Sequence, residues 1–152
     1  MSSDSALSVE EAVRVLQPVA ADVMCSSIPT CSTFSTVVEA VLIFKDEGRG
    51  VVPVVEEGKI QGIVTARDVA LVVANYANLS AQPVSEIMTK EVVQIPHNTP
   101  LEQVVGAFLL DGVRHVLVVD DAGEYLGVIG WTDLAPYLTY QPNPAPKPAP
   151  VS

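Results

Sequence analysis

Gly62-Ile63-Val64-Thr65-Ala66-Arg67-Asp68 decides how this chain of 152 residues is read, because a variant, Gly127-Val128-Ile129-Gly130-Trp131-Thr132-Asp133, returns 65 positions later. Each copy is a glycine, two strand-forming aliphatics and then residues that lead into an apolar run. The pattern predicts a strand feeding directly into a helix, with a carboxylate held at the helix start.

Outward from that turn the chain repeats itself. Ala21-Asp22-Val23-Met24 matches Ser85-Glu86-Ile87-Met88 at an offset of 64. The same offset pairs Ile28 with Val92, Thr30 with Gln94, Phe44 with Phe108, Gly48 with Gly112, and 52–55 with 116–119. An extra residue near Ala122 raises the offset to 65 before the second turn. Agreement at so many spaced positions marks a duplicated unit.

Each copy reads as a short strand (28–31; 92–95), a capped helix ending near Gly48 or Gly112, two apolar strands and a second helix (69–77; 134–138). Turns at Glu57-Gly58 and Asp121-Ala122-Gly123 join the paired strands. Thr36 with Glu39, and Thr99 with Glu102, have capping-box spacing, with Pro100 read as the first residue of its helix. The expected fold class is α/β (α+β), two tandem β-α-β-β-α repeats of roughly 60 residues. Units that small bury little surface alone, so they are expected to share a core through their sheets. We place them at 19–78 and 83–140, joined by a linker at 78–83. A short helix over 8–17, capped by Ser8 and Glu11 and stopped by Pro18, lies in the segment 1–18. Residues 141–152 are proline-rich and read as a disordered or polyproline tail.

Hydrophobic residues make up 49% of the chain and the mean hydropathy is +0.36, ample for a buried core. No apolar run approaches the ~20 residues that span a bilayer. The net charge of −10, with eight Lys and Arg, disfavours a nucleic-acid polymer or an anionic membrane, since either needs many placed cations. It leaves room for one small nucleotide, for which a few cations and a helix N-terminus suffice. The first residues lack the features of a signal peptide, and Cys25 and Cys31 are too few for a disulfide framework, so a cytoplasmic location is expected. Neither cysteine is arranged with His97 or His115 as a zinc site. No G-x-S-x-G, P-loop or H-E-x-x-H pattern occurs, and Glu56, Glu57, Asp120 and Asp121 read as solvated turn residues. No enzyme activity is expected.

Two such units, each ending in G-h-h-[ST]-x-x-D, resemble a pair of CBS domains over roughly 19–138. The resemblance implies a pseudo-two-fold module with two clefts between the repeats, commonly paired into a homodimer. It implies an adenosine-containing ligand (AMP, ADP, ATP or S-adenosylmethionine) and regulation of a partner protein, here a separate chain. It also implies that the aspartate of one repeat meets the opening strand of the other. That pairs Asp133 with Thr30, and Asp68 with the backbone around Gln94 and Ile95.

The residue types suit that chemistry. A carboxylate near a helix N-terminus can accept both ribose hydroxyls, while a neighbouring hydroxyl and free backbone N–H groups suit a phosphate. Thr65 is the hydroxyl of the first copy; the second has Gly130 there, and Thr132 can stand in for it. Arg114 and His115 are candidate phosphate ligands, with Arg49 the nearest first-copy counterpart and Arg67 a further candidate. A plainer reading stands beside this one. Thr65 can be a helix N-cap with Asp68 at the third helical position, Gly130 an adequate cap in a copy without a ligand, and Trp131 a rim or interface residue. The module is then a ligand-free dimerisation unit whose clefts are filled by its own side chains.

Overall fold

The computed structural model describes residues 17–75 and 78–138. The expected N-terminal helix, save its last residue, and the proline-rich tail lie outside the described residues. The order of elements is α1 (Ala20–Val23), α2 (Val37–Glu47), β1 (Val51–Glu56), β2 (Lys59–Thr65), α3 (Ala66–Ala74) and a 3₁₀ turn (Val84–Glu86). There follow β3 (Val93–Pro96), α4 (Leu101–Leu110), β4 (His115–Val119), β5 (Tyr125–Gly130) and α5 (Trp131–Leu138). This is the expected mixed α/β architecture of two tandem repeats.

Local chemistry sets the bounds. Thr36 Oγ1 accepts from the Glu39 N–H and Glu39 returns the bond to the Thr36 N–H, so α2 opens on the expected capping box. It closes at Gly48, which adopts the left-handed conformation at φ 68°. β1 and β2 pair antiparallel from Val51↔Thr65 to Glu56↔Lys59. Their turn needs two consecutive positive φ angles, which Glu57 (49°) and Gly58 (81°) supply. In the second repeat Asp120 Oδ1 accepts the N–H groups of Ala122 and Glu124, so this carboxylate shapes the turn rather than merely solvating it. Glu56 likewise ties down Thr33, accepting from its N–H and its hydroxyl at 2.7 Å each.

Four expectations need correction. The strand expected at 28–31 is reduced to one parallel bridge, Cys31↔Val54. Pro29 and Pro53 face this ladder without an N–H to donate, whereas their counterparts Val93 and Leu117 carry one, and β3 pairs with β4 from Val93↔Val116 to Pro96↔Val119. That strand runs one residue later than expected. Thr99 forms no capping box: α4 starts at Leu101 with Pro100 as its N-cap, and the Thr99 hydroxyl donates to the Pro96 carbonyl at 2.8 Å. Finally, α3 and α5 begin at Ala66 and Trp131, three residues earlier than expected, which carries Asp68 and Asp133 inside the first helical turn.

The core explains how the repeats hold together. Cys31, Ala40, Val52, Val54 and Val64 of the first repeat bury Val84, which belongs to the lead-in of the second. Val104, Phe108, Val116, Val118, Ile129 and Leu134 of the second bury Ala20 and Val23, from the lead-in of the first. Each repeat is completed by the other's lead-in. Between them Ile28, Val51 and Ile63 meet Leu117 and Val128 in a shared cluster, the expected packing through the sheets.

Candidate functional site

The glycine that opens each repeated turn is where the other repeat crosses. Thr89 exchanges backbone hydrogen bonds with Ile63 (2.9 and 2.8 Å), and Cys25 does the same with Val128 (2.8 and 3.0 Å). A Cβ on Gly62 would lie 2.6 Å from the Thr89 carbonyl oxygen, and one on Gly127 would lie 2.8 Å from Met24 Sδ and 2.9 Å from the Cys25 carbonyl oxygen. Only a residue without a side chain admits the crossing strand.

That crossing forms the first cleft. Asp68 Oδ2 accepts the Thr65 N–H at 2.8 Å and the Thr65 hydroxyl at 2.9 Å, and Thr65 Oγ1 accepts the Asp68 N–H at 3.2 Å. The Thr89 hydroxyl, from the second repeat, donates to Asp68 Oδ1 at 3.1 Å. Beside this cap opens a cavity of about 390 Å³, lined by Thr65, Ala66 and Arg67, by Thr89, Glu91, Val92 and Val93 of the other repeat, and by Arg114 and His115.

The second cleft is chemically different. Asp133 Oδ2 accepts the Gly130 N–H at 2.8 Å, closing the helix start without a hydroxyl. Both carboxylate oxygens are also held by Arg49 of the first repeat, Nη1 donating to Oδ2 at 3.0 Å and Nη2 to Oδ1 at 2.6 Å. The pair is largely covered, with side-chain exposures of 24% for Arg49 and 8% for Asp133. A cavity of about 560 Å³ adjoins it, walled by 48–51 and 112–115 (the same stretch of the two repeats) together with Phe108, Gly130, Trp131 and Thr132. Both volumes fall in the range of small-molecule sites.

Electrostatics follow from this arrangement. The hydrogen bonds to Asp133 are the main cause holding the Arg49 guanidinium above its ordinary pKa. His115 is pushed below its ordinary value, first by burial and then by the Arg49 and Arg114 charges, with Asp133 opposing. Gly130 lies across from His115 in the β4–β5 ladder, and a Cβ there would meet the imidazole Cδ2 at 3.3 Å. The equivalent pair in the first repeat is Val51↔Thr65. The missing hydroxyl of the second copy is thus linked to the space its larger neighbour takes.

Among the sequence candidates, the structure places Arg114 and His115 against both cavities, Thr65 and Arg67 against the smaller, and Thr132 and Arg49 against the larger. Asp68 and Asp133 sit just behind the walls, engaged as described. Thr30 is exposed and lines neither cavity; the smaller cavity is walled by Thr89 and 91–93 rather than by Gln94 and Ile95. Trp131 borders the larger cavity, 41% exposed, its ring edge-on to Phe108 at 5.0 Å. Two contributors escaped the sequence reading: Thr89 as a donor to Asp68, and Arg49 as the partner of Asp133. The repeat alignment carried a signal for the second, because Arg49 falls where the other copy has uncharged Val113. Among the described residues no cluster of three metal-ligating side chains occurs, and no helix is long and apolar enough to cross a membrane.

Both repeats match the family model of the CBS domain, at residues 19–75 and 84–140, and the chain belongs to that family. It is 32% identical over 114 residues to the CBS domain-containing protein YhcV of Bacillus subtilis, covering 75% of this chain and 81% of that one. Among solved structures it resembles the CBS domain protein TA0289 of Thermoplasma acidophilum, with a TM-score of 0.71 at 22% identity, over 81% of this chain and 70% of that one. It also resembles the CBS domain pair of protein MJ0100, solved in complex with 5′-methylthioadenosine and S-adenosyl-L-methionine. There the TM-score is 0.68 at 24% identity, over 80% of this chain and 99% of that one.

Proposed function

We propose that the chain is a regulatory module that binds an adenosine-containing ligand between its repeats, the ribose on Asp133 or Asp68. The observation that carries this reading is the larger cavity, where Arg49, Arg114, His115 and Thr132 converge beside the Asp133 carboxylate at the start of α5. Cations and a hydroxyl suit a phosphate, and the carboxylate suits a ribose diol. The adenosine compounds bound by the CBS pair of MJ0100 support the same ligand class. Because the walls come from both repeats, a ligand there favours one packing of the repeats over another, as a signal requires. The signal passes to a separate partner protein, or to a second copy of the chain. Exposed Leu109 and Leu110 on α4 and Leu42 on α2 offer apolar surface for such a contact.

A second reading is favoured by the engagement of both carboxylates inside the protein. On it the module is a ligand-free dimerisation unit, its clefts closed by Arg49 and by Thr65 and Thr89. Titration with AMP, ADP, ATP and S-adenosylmethionine, followed by thermal shift, separates the two, since a ligand that binds the folded state raises its stability. Asp68→Ala and Asp133→Ala are each expected to weaken binding at one cleft by about tenfold or more. Binding unchanged in both single mutants and in the double mutant removes the site assignment, and no stabilisation at millimolar ligand favours the structural reading.

A further inference from the structure

We propose that Arg49 makes the Asp133 cleft selective for adenosine ligands that carry an anionic 5′ group, and that the Asp68 cleft has no such filter. The inference rests on the ribose–aspartate reading above and adds what decides between ligands. A ribose diol needs two acceptor sites, and on Asp133 the Arg49 fork at 2.6 and 3.0 Å and the Gly130 N–H at 2.8 Å occupy three of the carboxylate's roughly four lone-pair sites. The ribose therefore enters as the guanidinium leaves. What the guanidinium then meets depends on the ligand. It lies in a wall shared with Arg114 and His115, and no carboxylate lines that wall; Glu47 acts on the guanidinium only as a nearby charge, without a hydrogen bond. A neutral nucleoside separates the ion pair and leaves a partly covered cation beside another cation, and the sulfonium of S-adenosylmethionine adds a further positive charge. A 5′-phosphate gives the planar fork a bidentate anionic replacement for the carboxylate it gave up. The ligand thus exchanges partners with the pair, the diol taking Asp133 and the phosphate taking Arg49.

The Asp68 cleft lacks this arrangement. The repeat aligns Val113 with Arg49, and Asp68 accepts from the hydroxyls of Thr65 and Thr89 and from a backbone N–H. Hydroxyls rotate aside without stranding a charge, so a neutral adenosine compound meets no comparable obstacle there.

Calorimetric titration of the full chain with AMP and with adenosine, which differ in the 5′-phosphate, tests the inference. Asp68→Ala weakens the other cleft, so that the tighter sites read by the titration are those at Asp133. In that background AMP is expected to bind at least roughly tenfold more tightly than adenosine. Adding Arg49→Met should bring the two affinities together, with adenosine binding more tightly than before and AMP less. An unchanged ratio, or weaker adenosine binding with AMP retained, overturns the role of Arg49 and leaves the nucleotide reading standing. Absence of binding of either compound to the unmodified chain, the single mutant and the double mutant overturns both. Should Arg49→Met fail to give the circular dichroism of the folded chain, Arg49→Lys carries the test. It keeps the charge but loses the fork, so the ratio should fall, and an unchanged ratio again overturns the inference.

Discussion

His115 sits where two cations and a carboxylate meet, and its position makes the fold respond to pH. Burial, Arg49 and Arg114 all favour the neutral imidazole, so the folded chain refuses a proton that the unfolded chain accepts. A depressed value in the folded state means that stability is fully present above the ordinary imidazole pKa of 6.5 and is lost as pH falls below it. Urea denaturation at about pH 7.5 and about pH 5.5 should therefore show lower stability at the acid end, and His115→Gln should shrink that difference. Arg49→Met removes one cation and frees Asp133, and both changes should move the His115 titration upward in an NMR series. A titration that stays put would mean that Arg49 does not act on the imidazole. The opening glycines belong to the same scale. Their recurrence was plain in the sequence, but the reason for it, a backbone crossing from the other repeat, is a three-dimensional fact that spacing does not carry.

At the scale of elements, capping chemistry decided the starts of the helices, and the sequence was legible where the cap is a side chain. Thr36 with Glu39 forms the box its spacing implies, as does Thr65 with Asp68. Thr99 with Glu102 has the same spacing and does not, because the alignment of Leu101 with Val37 leaves the N-cap to Pro100. The offset between repeats was the better guide there than the local pattern. Replacing Thr36 with Ala should cost about 1 kcal/mol of stability. Thr99→Ala, which removes one hydroxyl bond to Pro96 and no helix cap, should cost clearly less in the same urea experiment. The lost strand at 28–31 was legible in principle: Pro29 and Pro53 stood in the sequence, but only the parallel register showed that they share a ladder.

At the scale of the whole molecule, the two repeats share their cores and are expected to unfold as one cooperative body rather than as beads on a chain. Val84 is fully buried in the core of the first repeat, although its neighbours in sequence lead into the second. Val84→Ala should cost about 2 kcal/mol. The single tryptophan, Trp131, reports from the second repeat. Its fluorescence midpoint in urea should nevertheless drop with Val84→Ala, together with the far-UV circular dichroism. A fluorescence transition that ignores the mutation would show that the repeats unfold separately. The duplication and the element order were readable from a linear offset. The same offset marked Arg49 as an asymmetry against Val113 but not Asp133 as its partner, because the pair joins positions 84 residues apart that do not correspond under the repeat.

The traded lead-ins carry a consequence for how such a chain arises. A half-length polypeptide with one lead-in and one repeat would be an incomplete building block, its core to be closed by the lead-in of a second copy in a two-fold domain swap. The connector at 78–83 turns that encounter into a ring closure whose effective concentration depends on its own length rather than on how much protein is present. Once both halves lie on one chain, neither has to remain complementary to itself. Arginine at 49 and valine at 113 are a difference of that kind, an asymmetry that a self-pairing chain has no way to encode.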